Sequence, residues 1–302
     1  MRDNVKLIGI GGTGENIIDK MILRGFDPDD CMIIQGTSEY FGESSARIKI
    51  ALDNKENPAD KYCYNEDDPV WGSRMILDQS ETFLKAFDSI DMVVIIIGVD
   101  DGAGRGSSAS IAMLGKMNAM VVISILLKPI GNVSASNQIF PGLDAIIENS
   151  DTTIMISRNQ LKQLLPFNTT ARFVDFLPAG DEIVSAVISE IITGNNENWC
   201  NIPLNAFISN GIGYIGIGNG PTVQTGMNRA LSCPLLEYSS LERATRILAY
   251  FSIRHATERE DVRRALTRLQ DNVNKSAEIL TTVCIDENAE FCGVILLAAR
   301  LS

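Results

Sequence analysis

The chain has little basic charge, little histidine and few aromatic residues. Its 302 residues carry 26 Lys and Arg against 38 Asp and Glu, a formal net charge of −12. A nucleic-acid partner needs a basic stripe to meet the phosphate backbone, so this balance argues against one. A small phosphate ligand stays open, because backbone N–H groups bind anions without side-chain charge. The one histidine, His255, lies in a polar, charged stretch and reads as a surface residue. No His-based catalytic set can be assembled around it. The six cysteines, at 31, 63, 200, 233, 284 and 292, show no CxxC spacing. They read as free thiols of a reducing, cytoplasmic compartment. No apolar run approaches the ~20 residues of a spanning helix, and the N-terminus has no signal-peptide pattern. Direct membrane insertion is therefore not expected. Internal repeats and low-complexity segments are absent as well.

What is present is an apolar share of 45%, enough for a large core and two domains. Within it stand two glycine-rich turns, each directly after an apolar run. The first is Gly9-Ile10-Gly11-Gly12-Thr13-Gly14, after residues 5–8. The second is Gly98-Val99-Asp100-Asp101-Gly102-Ala103-Gly104-Arg105-Gly106, after residues 92–97. Strand, glycine turn and helix together aim backbone N–H groups at a phosphate. Two such turns on neighbouring strands would hold a nucleotide from two sides.

Strand and helix signals alternate through the first half. Strands are expected at 5–10, 31–35, 47–52, 91–97, 120–126 and 152–157. Helices are expected at 15–24, ending at Gly25, at roughly 72–87, and after Gly106. Residues 53–69 read as an acidic loop. This order predicts an α/β fold with a doubly wound parallel sheet, ligands sitting at the carboxyl ends of the strands. Residues 171–193 read as a long central helix. Beyond it come a strand in 207–218, a helix near 222–231, a strand at 245–251, a charged helix at 258–273 and strands at 279–285 and 290–299. The expected organisation is a nucleotide-binding domain over 1–170, the central helix over 171–193 and a smaller α+β domain over 194–302.

The order of these motifs resembles the FtsZ/tubulin family, and FtsZ more than tubulin. The first turn with Asn16 is similar to the family's first phosphate loop, and 33–50 to its second strand and loop. The segment 98–106 stands where the family has its signature GGGTGTG. Leu127-Lys128-Pro129, Phe176-Leu177-Pro178-Ala179-Gly180-Asp181 and Ser232-Cys233-Pro234-Leu235-Leu236-Glu237 resemble three further family landmarks. The resemblance implies a GTP or GDP ligand, with Mg2+ open as its companion. It implies phosphate contacts at Gly11, Gly12, Thr13, Asn16, Gly102, Ala103, Gly104, Arg105 and Gly106. It also implies stacking of the base on Phe176 and reading of guanine by Asp181, whose carboxylate suits the N1–H and N2–H pair. A packed or capped helix start is the plainer explanation of both.

The departures are specific. Asp100 and Asp101 replace signature glycines and repel a polyphosphate. Arg105 replaces a threonine; it either offsets them or pairs locally with no phosphate bound. The γ-phosphate loop, Tyr64-Asn65-Glu66-Asp67-Asp68-Pro69, has lost its glycines and gained carboxylates, which disfavours GTP relative to GDP. It reads as solvated rather than as a metal site. Residues 130–135 lack the ribose-contacting acid and arginine. The stretch 194–206 contains no Asp-x-x-Asp; Glu197 is the one weak catalytic candidate, and it more simply decorates a turn. Hydrolysis is expected to be slow or absent. The chain stops at Ser302, where FtsZ proteins usually continue into a linker and partner-binding peptide.

The leading expectation is an FtsZ-like, guanine-nucleotide-binding cytoskeletal protein of cell division or a related process. It would assemble head to tail into filaments and meet other FtsZ-family or division proteins. A nucleotide-free scaffold keeping the fold is the alternative. An NAD-dependent oxidoreductase is a distant third. Gly9–Gly14 matches GxGxxG, but Gln35-Gly36 offers no ribose-binding acid.

Overall fold

The structure is a computed structural model that describes residues 4–37, 41–53, 67–130, 140–164, 173–192, 211–237 and 240–301, with backbone only at 173–179, 190–192 and 300–301. Two compact units emerge, 1–153 with 157–186, and 154–156 with 187–302.

The first unit is built on β1 (Val5–Ile10), α1 (Gly11–Leu23), β2 (Cys31–Gln35) and β3 (Ile48–Ala51). Next come α2 (Pro69–Asp78), α3 (Ser80–Ala86), β4 (Met92–Gly98), α4 (Gly102–Met117) and β5 (Val121–Lys128). Three short elements, α5 (Leu143–Glu148), β6 (Thr152–Ser157) and α6 (Arg158–Leu161), lead to α7 (Phe173–Ile192). The strand order within this unit is β3-β2-β1-β4-β5, and every registered pair is parallel. Every residue of β4 is buried, as a parallel strand covered on both faces requires. The chain winds outward from β1 in one direction and from β4 in the other. The switch point of the sheet therefore falls between these two strands, where Ile10 pairs with Ile97. Both glycine turns leave the sheet at that point.

Three of the expected helices differ from the sequence expectation. Helix α1 starts at Gly11, four residues early, because Gly11 takes φ +66° and turns the chain straight from strand into helix. Its end is as expected, with Gly25 at φ +101°. Helix α4 starts at Gly102 rather than after Gly106, so the signature glycines form its first turn and a half. The expected helix at 72–87 is two helices, divided at Gln79. The first begins at Pro69, because Asp68 caps it by accepting from the Val70 N–H at 2.9 Å and proline suits the first helical position.

The second unit contains β7 (Gly211–Gly220), α8 (Val223–Leu231), α9 (Ser240–Arg243), β8 (Ala244–Ile253), α10 (Arg259–Asp271), β9 (Glu278–Ile285) and β10 (Cys292–Leu301). Its strand order is β7-β10-β8-β9. Strand β10 runs antiparallel to β7 and β8, while β8 and β9 are parallel with α10 as the crossover. Phe251, Val262, Leu269 and Leu296 belong to one buried cluster beneath α8 and α10.

No helix among the described residues is long and apolar enough to cross a membrane. Cys31, Cys233, Cys284 and Cys292 are free thiols; Cys63 and Cys200 lie outside the described residues.

Candidate functional site

The glycines of the first turn divide the work. A Cβ on Gly9 would come within 2.5 Å of the Gly14 carbonyl oxygen, and one on Gly14 within 2.6 Å of the Ile96 carbonyl oxygen. These two let α1 press onto β1 and β4. A Cβ on Gly12 would meet nothing within 4 Å. Gly12 faces a cavity of about 720 Å³, which Thr13, Asn16 and Gly104 also line. No side chain caps the N-terminus of α1, and no acidic residue stands in its first turn. Its leading N–H groups carry the positive end of the helix dipole.

The second turn is built differently. Asp101 caps α4, its Oδ1 accepting from the Gly104 N–H at 2.6 Å. A Cβ on Gly104 would stand 2.5 Å from Asp101 Oδ2, so glycine there makes room for the carboxylate. Gly102 and Gly106 serve helix packing. Their Cβ atoms would collide with the Asp67 carbonyl at 2.4 Å and the Pro69 carbonyl at 1.7 Å, while one on Gly72 would meet the Ala103 carbonyl at 1.9 Å. Helix α2 thus lies directly on α4, and Ser73 and Ser110 hydrogen-bond across them at 2.7 Å.

Arg105 turns away from the cavity. Its side chain is 6% exposed; Nε donates to the Pro141 carbonyl at 2.7 Å, Nη1 donates to the Val99 carbonyl, and the guanidinium covers the Phe140 ring at 5.5 Å. Burial lowers its pKa, while Asp101, Asp100 and Asp67 pull it back up.

Glu15 and Asp19, one turn apart on α1, hold the segment after β2. Glu15 accepts from Gln35 Nε2 at 2.5 Å and from the Gly42 N–H at 2.9 Å. Asp19 accepts from Ser44 Oγ at 2.5 Å. With Glu43, Asp67, Asp100 and Asp101 they give the cavity an acidic lining, with no Lys or Arg among the described lining residues. No group of three or more metal-ligating side chains converges among the described residues.

Glycine turns at the switch point of a parallel sheet, an uncapped helix start over a cavity and a long helix after β6 characterise this chain. No protein-family model matches it. Cell division protein FtsZ 1 of Methanocaldococcus jannaschii is 24% identical over 305 residues, covering 97% of this chain and 81% of that protein. Cell division protein FtsZ 2 of Pyrococcus furiosus is 24% identical, covering 94% and 72%. An empty FtsZ dimer from M. jannaschii superposes with a TM-score of 0.82 at 21% identity, covering 99% of this chain and 88% of that one. A GTPγS-bound protofilament of CetZ2 from Haloferax volcanii gives 0.81 at 14% identity, covering 100% and 94%. The chain has the FtsZ/tubulin fold and is similar to FtsZ in sequence over nearly its whole length.

In this FtsZ/tubulin-like chain the structure brings part of the expected set together. Gly11, Gly12, Thr13, Asn16, Ala103 and Gly104 line one cavity. Gly102 and Gly106 stand at the α2 contact, and Arg105 binds backbone carbonyls. Asp181 is 2% exposed and accepts from Arg158 Nη2 at 2.9 Å. Burial raises its pKa, and Arg158 draws it back. Phe176 belongs to α7, but its side chain lies outside the described residues, as do Glu197, residues 64–66 and most of 130–135. Helix α7 is tied to α1 through Glu182, which accepts from Lys20 Nζ at 3.3 Å and from Arg24 Nη2, and Ser185, which accepts from Arg24 Nε at 3.3 Å.

Sequence reasoning missed three residues: Arg158 as the partner of Asp181, and Glu15 and Asp19 as the posts of the β2 loop. The i,i+4 spacing of Glu15 and Asp19 was a legible signal for one shared helix face. Nothing local marked Arg158.

Proposed function

We propose that this protein binds a guanine nucleotide at the α1 turn, assembles head to tail, and hydrolyses GTP slowly or not at all. The observation that carries the reading is the α1 N-terminus, uncapped and opening on the cavity, with Gly12 facing free space. An anion approaching there meets a helix start that no described side chain caps, together with the helix dipole, and no atom within 4 Å of a Cβ on Gly12. The likeness to FtsZ and CetZ supports guanine as the base, a cytoskeletal role beside other division proteins and a cytoplasmic setting. Slow turnover is supported by the acidic lining and by the missing Asp-x-x-Asp in 194–206. Mg2+ would offset the carboxylates facing a nucleoside diphosphate. GDP is favoured over GTP because each added phosphate charge meets that lining.

The test is equilibrium binding of GDP and GTP with Mg2+ to purified protein and to Gly12→Val, followed by GTP turnover and sedimentation across protein concentration. GDP binding that Gly12→Val abolishes supports the reading. Concentration-dependent turnover typical of an active polymerising GTPase would refute its hydrolytic part.

A nucleotide-free scaffold is the second reading, and the cavity's carboxylates favour it. It predicts no GDP binding with assembly intact. For an oxidoreductase the end of β2 is unhelpful, because Gln35 donates to Glu15 where a ribose-binding acid would be needed.

A further inference from the structure

The starts of α1 and α4 are neighbours, since each follows directly from one of the paired strands β1 and β4. Both open on the same cavity, Gly11 and Gly12 from one side, Ala103 and Gly104 from the other. Two helix N-termini so placed make two anion seats side by side. Their states differ. The α1 seat is uncapped, whereas the α4 seat holds the Asp101 carboxylate, with Oδ1 on the Gly104 N–H at 2.6 Å. The other oxygen, Oδ2, reaches across to α1, for a Cβ on Gly11 would stand 2.5 Å from it. The carboxylate therefore lies between the two helix starts.

We propose that Asp101 is a specificity-determining residue, an internal anion that fills the α4 seat and limits how many phosphates the site accepts. The proposal rests on the nucleotide reading above for its biological meaning. The closure itself rests on the geometry of Asp101 with Gly104 and Gly11. A ligand with one phosphate uses the α1 seat alone and is little affected by Asp101. Each further phosphate must displace the carboxylate from Gly104 or lie against its charge.

The test compares inorganic pyrophosphate, GMP and GDP on the wild type, Asp101→Asn and Asp101→Ser by calorimetry. Asn and Ser both keep an N-cap for α4, so folding is retained while the charge is removed. Removing one like charge at contact range should tighten pyrophosphate and GDP by about tenfold or more, and GMP by much less. Unchanged pyrophosphate affinity in both variants overturns the proposal, whatever GDP does. If pyrophosphate tightens but no protein binds GDP, the closure stands and the nucleotide reading falls. If GDP binds the wild type as tightly as both variants, the closure falls and the nucleotide reading stands.

Discussion

Arg158 donates to Asp181 at 2.9 Å, and both side chains are nearly buried, 11% and 3% exposed. An expected reader of a nucleotide base is thus one half of an internal ion pair. Removing one partner strands the other charge in the interior. Asp181→Ala should cost about 3 kcal/mol in a urea titration, and the double change Arg158→Met with Asp181→Leu should cost much less. A single change costing no more than an exposed salt bridge would show that the pair is solvated. Loss of nucleotide binding in Asp181→Ala alone therefore does not identify a base contact.

The signature glycines should separate by role. Gly106→Ala drives a methyl into the Pro69 carbonyl and should destabilise by about 3 kcal/mol or more. Gly12→Ala meets nothing and should leave stability unchanged or raised by about 0.5 kcal/mol. Thermal melts of the two variants decide this, and equal losses would mean that Gly12 is packed.

Glu258 gives the second unit an acid limit. Its carboxylate accepts from the Arg254 N–H at 2.8 Å, the His255 N–H at 3.2 Å and Arg254 Nη2 at 2.9 Å. Burial opposes the charge, but these donors hold the pKa below its ordinary 4.5. Its contribution is therefore complete above that value and is lost as pH falls through the depressed pKa. Glu258→Gln should cost about 2 kcal/mol at neutral pH and flatten the fall in stability on acidification. An unchanged acid limb in that variant would place the sensitivity elsewhere.

Cys31 should be chemically silent in the folded protein. Burial, with Asp30 adding to it, pushes its thiol up to about 12. Little thiolate exists at neutral pH to attack an electrophile. Iodoacetamide labelling followed by mass spectrometry should find Cys31 modified only under denaturing conditions. Rapid labelling of Cys31 in native buffer would contradict the burial of β2.

Much of the first unit was legible because its strands are buried on both faces. The mostly apolar stretches at 5–10, 31–35 and 92–98 are short and bounded by turn residues, as buried strands are, and Gly25 ends α1 as its composition suggests. The second unit was legible through the change to charged helix and apolar strand pairs at α10, β9 and β10. The start of α2 was hidden because Asp67-Asp68-Pro69 reads equally as an acidic loop and as a capped helix start. The packing of Gly72 against Ala103 selects the second.

The sequence by itself determined the alternation of elements, the switch-point turns and the likeness to FtsZ, since these rest on local periodicity and motif order. Tertiary structure alone decided what each glycine is for. Gly12 and Gly106 look alike in a glycine-rich turn, yet one faces a cavity and the other a carbonyl oxygen. It also decided the partners of the charges: Asp101 on the Gly104 N–H, Arg105 on the Val99 and Pro141 carbonyls, Asp181 on Arg158. A charge's role follows from what lies within about 3 Å of it in space. For Arg158 and Asp181 that neighbour is 23 residues away along the chain.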